Sequence, residues 1–124
     1  MSDRRAVVFL SHGDEPTLRV AGSCALAACA LGDRVDVFLF GEAVRAVVEA
    51  HAARGEVRGA SGAEDEPGSL LLQARAGGCR LVACSASVVE AHIPLEHAER
   101  AVDAVAGWPT IVEWSRGVVD RFFF

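Results

Sequence analysis

Apolar positions along this chain fall into short runs separated by glycine and acidic breaks, and the spacing predicts alternating strands and helices. Residues 6–10 form a compact apolar run, as a buried strand does. Ser11-His12-Gly13-Asp14 interrupts it. Asp14 is placed to cap a helix, and Pro16 fits that helix's first turn. Residues 17–31 are rich in Ala, Leu and Cys and apolar around most of the circumference. Such a helix is buried on more than one side. Gly32-Asp33 ends it, residues 35–40 predict a second strand, and Gly41 ends that strand. Residues 42–54 read as a helix with Val44, Val47 and Val48 inward.

Residues 54–68 hold four glycines, Pro67 and the acidic run Glu64-Asp65-Glu66, which predicts a long solvated loop. A short helix follows over 69–76, capped by Ser69 and closed by Gly77-Gly78. Residues 79–84 predict the third strand. The next helix runs from Ser87 to about residue 92, with Ser87 and Glu90 spaced as a capping box. Pro94 interrupts, 95–103 is helical, and 102–106 includes a short strand. Residues 109–117 predict a last helix, Trp108 and Trp114 sit on it, and 119–124 form a last strand. Alternation there puts Phe122 and Phe124 on one face and Phe123 on the other.

Strand and helix in alternation predict an α/β domain spanning 1–124, a mostly parallel sheet with helices on both faces. Right-handed crossovers put the strand C-terminal ends along one edge. Ser11-His12-Gly13, Gly41-Glu42 and Cys84-Ser85 then share that edge.

The composition narrows the chemistry. A chain of 124 residues, 52% hydrophobic, suits one folded domain. A net charge of −5 argues against nucleic acid and anionic membrane as partners. No lysine occurs, which removes Schiff-base chemistry and the lysine of a P-loop. No G-x-G-x-x-G follows the first strand and no G-x-S-x-G occurs, so neither a dinucleotide site nor a serine-nucleophile elbow is expected. His92 and His97 are not spaced as metal ligands on one helix, and no metal or cofactor is expected. No run approaches the roughly 18 apolar residues of a membrane span, so a cytoplasmic protein is expected.

The four cysteines are then expected to be free thiols. Cys79 and Cys84 stand about 17 Å apart on one strand. Cys24 and Cys29 lie about 140° apart around one helix. The first pair cannot bridge, and the second has a poor geometry for it.

Cys84 is the candidate for chemistry. It ends a predicted strand and precedes a helix, where open α/β sheets build binding sites. A helix start stabilises a thiolate, which is both a nucleophile and a sulfur acceptor. The competing reading is a packed, inert thiol, since free cysteine is among the most buried residue types. His12 lies on the same edge and could orient a substrate, with Ser85 and Ser87 beside Cys84.

Residues 6–31, 32–44, 78–87 (with Cys84), 93–96 and the closing 107–124, in that order and spacing, together resemble the DsrE/DsrF-like family, which includes TusD-type sulfur-relay subunits and small YchN-like proteins. The resemblance implies a five-stranded parallel sheet and a trimer or hexamer, or a hetero-oligomer with sister subunits. It also implies a persulfide accepted on Cys84 from a donor protein and passed to an acceptor. The rival expectation is a non-catalytic oligomeric binding module of the same fold. A third is a small-molecule pocket on the strand edge.

Overall fold

The computed structural model describes residues 4–56 and 68–124, so the middle of the predicted 54–68 loop lies outside the described residues. Strands β1 (Arg5–Leu10), β2 (Arg34–Leu39), β3 (Arg80–Cys84), β4 (Ala104–Ala106) and β5 (Asp120–Phe123) form one sheet in the order β4-β3-β2-β1-β5. Every pairing is parallel. Helices α1 (Glu15–Ala30), α2 (Glu42–Glu56), α3 (Ser69–Ala76), α4 (Ser85–Glu90), α5 (Leu95–Ala101) and α6 (Trp108–Trp114) connect them.

Alternation divides the sheet's side chains between two cores. Val8, Leu10, Val37, Leu39 and Leu81 face one side, packed with Leu18 of α1, Val47 of α2, Leu71 of α3 and Ala98 of α5. Val7, Phe38, Val82 and Cys84 face the other, packed with Ile111 of α6. Helices thus lie on both faces, unequally: α1 to α5 contribute to the first core and α6 to the second. Helix α1 buries one stripe, Leu18, Ala21, Gly22 and Ala25, while Val20, Ala27 and Ala30 are exposed, so the expectation of burial on more than one side is not met within this chain. A Cβ on Gly22 of α1 would lie 2.6 Å from Leu70 Cβ, so a side chain there would push α1 off α3.

Asp14 caps α1 as predicted, its carboxylate accepting from Thr17 N at 3.1 Å and Thr17 Oγ1 at 2.7 Å. Two other predicted caps are corrected. Gly68, at φ 87°, is the N-cap of α3, and Ser69 is already helical and buried. Only glycine takes that left-handed turn without strain. Ser87 is the third residue of α4, and Cys84 is the N-cap. The Ser87 hydroxyl accepts from Gly41 N at 2.8 Å, tying the end of β2 to α4 rather than capping a helix. Local spacing signalled a capping box, but that hydroxyl is taken up by a backbone amide 46 residues away.

The cysteine expectation is corrected too. Cys29 and Cys79 are bridged, with Cα atoms 6.7 Å apart. Cys24 and Cys84 are free. The bridge joins the last turn of α1 to the residue before β3, a contact that exists only once the helix packs beside the sheet.

β5 is an edge strand, held by Phe124 N donating to Phe9 O at 2.8 Å and Ser11 N donating to Phe124 O at 3.0 Å. The alternation of the closing phenylalanines holds. Phe124 packs on the first core, while Phe123, 72% exposed, stacks on Phe9 of the second face.

At the sheet edge carrying the strand N-termini, Arg5, Arg34, Arg80, Asp36 and Trp114 line a polar cleft of about 600 Å³. Asp36 accepts two hydrogen bonds from Arg80, at 2.9 and 3.0 Å, and lies 3.7 Å from Arg5. The Arg80 guanidinium lies 4.1 Å from the Trp114 ring centroid. Most of these groups serve each other, tying the strand starts to α6.

Candidate functional site

The strand C-terminal edge carries the thiol. Cys84 ends β3 because the chain turns directly into α4 there, at φ −67° and ψ 123°. Its register places it beside Ala106 of β4. Its side chain points to the sheet face that, among the described helices, only α6 covers, and the residue is 2% exposed.

Above it lies a cleft of about 710 Å³. Cys84, Phe9, Phe40, Trp108, Ile111, Val112 and Phe123 supply its apolar lining. Gly41, Ser11, Ala86, Ser87, Ser115 and Glu90 complete it. The rings form a row across three strands and α6. Phe123 stacks on Phe9 with centroids 4.9 Å apart and planes 7° apart. Phe9 follows Phe40 at 6.3 Å and 15°. Trp108 closes the row, 4.7 Å from Phe40 at 15°. Parallel strands in register place Phe9 beside Phe123. Phe40 continues β2 one pair beyond Phe38, on the same face.

The predicted site residues separate. Ser11, Gly41 and Cys84 do meet at one cleft, as the shared edge required. Ser87 is there as well, buried, with its hydroxyl bonded to Gly41 N. Ser85 is half-buried and is not part of the lining. His12 is exposed, its Nδ1 3.4 Å from Ser11 Oγ, and is also outside the lining. The predicted stabilisation of a thiolate by the helix start is corrected in one respect. Cys84 holds the N-cap position, yet its side chain makes no capping hydrogen bond, and α4 is only six residues long.

The aromatic wall was not among the predicted site residues. Phe9 and Phe40 read as core positions of strands, and Trp108 as a helix residue. The one available signal was a large aromatic at the end of each strand nearest the cysteine.

Among the described residues, Glu90 is the only ionisable residue in the lining apart from Cys84, and it is exposed at the rim. The described lining therefore presents a thiol in an apolar, ring-walled space with one carboxylate and no cation. Among the described residues, no group of His, Cys, Asp and Glu is arranged to hold a metal. No helix among them is long and apolar enough to cross a membrane.

No family model and no curated protein matches this chain. Solved structures do. YchN from E. coli superposes with a TM-score of 0.70 at 15% identity, covering 98% of this chain and 99% of that one. MTH1491 from Methanobacterium thermoautotrophicum superposes with a TM-score of 0.68 at 18% identity, covering 96% and 99%. At such identities the likeness is one of fold. The resemblance read from the sequence holds at that level, over nearly the whole length: this chain has the α/β fold of YchN.

Proposed function

We propose that the protein is a sulfur carrier in which Cys84 receives sulfane sulfur and passes it on. One observation carries the reading: the only free thiol at the strand C-terminal edge, among the described residues, lines a cleft large enough for a small ligand. The YchN fold is compatible with it. In the loading step the Cys84 thiolate attacks the outer sulfur of a donor persulfide. A Cys84–sulfur bond forms, the donor's sulfur–sulfur bond breaks, and the donor leaves as a thiolate. In the unloading step an acceptor thiolate attacks the outer sulfur and returns Cys84 to its thiolate. No net oxidation occurs in either step.

The test is to incubate the reduced protein with a persulfide donor and weigh it intact. Gain of one sulfur by the wild type, absent from Cys84→Ser, supports the carrier. Equal loading of the two proteins, or none, overturns it.

A second reading has its own support. Trp108 is 54% exposed, and Phe123 and Val112 are exposed beside it, forming an apolar surface on the face that α6 covers. In that reading the protein is a non-catalytic homo-oligomer, trimer or hexamer, with a subunit packed on this face and an inert Cys84 beneath. Size measurement in solution combined with Cys84 alkylation separates the readings. A stable oligomer in which Cys84 resists small neutral alkylating agents favours the module.

A further inference from the structure

The lining of the cleft sets which persulfide reaches Cys84. Resting on the carrier reading, we infer that the sulfur donor is a small persulfide with an uncharged, apolar, ring-bearing body, and that anionic persulfides are rejected. Three features lead there. The volume, about 710 Å³, is that of a small-molecule pocket. Its walls are flat rings held parallel: the Trp108–Phe40 and Phe9–Phe123 stacks fix four aromatic groups around one space, where another ring finds offset or edge contacts.

Charge decides between donor types. Among the described residues, Glu90 is the only ionisable lining residue besides Cys84, and no arginine or histidine lines the cleft. A carboxylate entering it loses hydration and gains no cation, and it meets Glu90 at the rim. The nucleophile adds to the effect, because the thiolate that attacks is itself negative. An anionic donor must bring a second charge toward it in an apolar surround, whereas a neutral donor does not. The lining hydroxyls bring no positive charge: Ser11 donates to Phe124 O at 3.3 Å, Ser115 donates to Val112 O at 2.9 Å, and Ser87 accepts from Gly41 N.

The experiment separates binding from chemistry. Calorimetry on the full chain compares benzyl methyl sulfide with its para-carboxylate analogue, neither of which can transfer sulfur. Loading of Cys84, weighed as above, compares benzyl persulfide with glutathione persulfide. The neutral sulfide is expected to bind at least about tenfold more tightly, equivalent to about 1.4 kcal/mol. Benzyl persulfide is expected to load faster by a similar factor. Glu90→Gln lies on an exposed helix position and is expected to narrow both gaps. Equal or tighter binding of the carboxylate overturns the donor class, whatever loads. Binding of neither sulfide overturns it too, in favour of a macromolecular occupant. Preferential binding of the neutral sulfide without loading by any persulfide keeps the ligand class and sinks the carrier reading instead.

Discussion

The indole of Trp108 lies flat on the ring of Phe40, centroids 4.7 Å apart, and so joins α6 to the end of β2 beside Cys84. An aromatic pair of this kind is worth about 0.5–1.5 kcal/mol beyond the area it buries. Trp108→Ala is therefore expected to lower stability by about 1 kcal/mol, read as a shift in the denaturant midpoint. It should also quicken native-state alkylation of Cys84 by N-ethylmaleimide several-fold. That rate is best measured in a Cys24→Ser background. An unchanged alkylation rate would show that Trp108 does not cover the thiol.

Close packing of α1 on α3 makes Gly22 a second test. Alanine in place of helical glycine normally stabilises by about 0.8–1 kcal/mol. Here the added methyl would sit 2.6 Å from Leu70 Cβ, an atom fixed to the backbone of α3. Overpacking costs about 1–3 kcal/mol, so Gly22→Ala is expected to be net destabilising by about 1 kcal/mol. Ser23→Ala, one residue along and exposed, is expected to stay within about 0.5 kcal/mol of wild type. A more stable Gly22→Ala protein would mean that α3 yields.

Asp14 supplies the pH dependence. Hydrogen bonds from the Thr17 hydroxyl and amide hold its pKa below the usual value of 3.8. A carboxylate whose folded pKa is depressed adds stability above its unfolded pKa and loses it as pH falls through the folded pKa. Asp14→Ala is thus expected to lower the melting temperature at neutral pH. The difference from wild type should close in acid, below the Asp14 pKa. A gap that persists in strong acid would show that the cap acts by something other than the ionised carboxylate.

The bridge makes a direct count possible. Cys24 and Cys84 carry the free thiols, and Cys29 and Cys79 are joined. Protein purified without reductant, then unfolded and alkylated, is expected to take up two alkyl groups. After reduction it should take up four, one for each cysteine of the chain. Four groups without reduction would mean that the Cys29–Cys79 pair is open. In the folded protein Cys24 should react slowly, because burial pushes its thiol pKa up.

What the sequence determined was local or periodic. Apolar runs of five or six residues bounded by glycine marked the strands, and Asp14 with Pro16 marked the start of α1. Alternation with helices determined parallel pairing, and hence that Ser11, Gly41 and Cys84 would share an edge. What it misread depended on partners distant in the chain. Ser87 looks like a cap until Gly41 N, 46 residues away, takes its hydroxyl. Cys29 and Cys79 look unpaired until α1 packs on the sheet and brings them together across 50 residues. The cleft is of the same kind. Phe9, Phe40, Trp108 and Phe123 come from three strands and a helix, and no spacing along the chain relates them. Strand order and register, with the packing of α6 on the sheet, put their rings side by side over the cysteine, because hydrophobic burial selects which faces meet only once the whole sheet has formed.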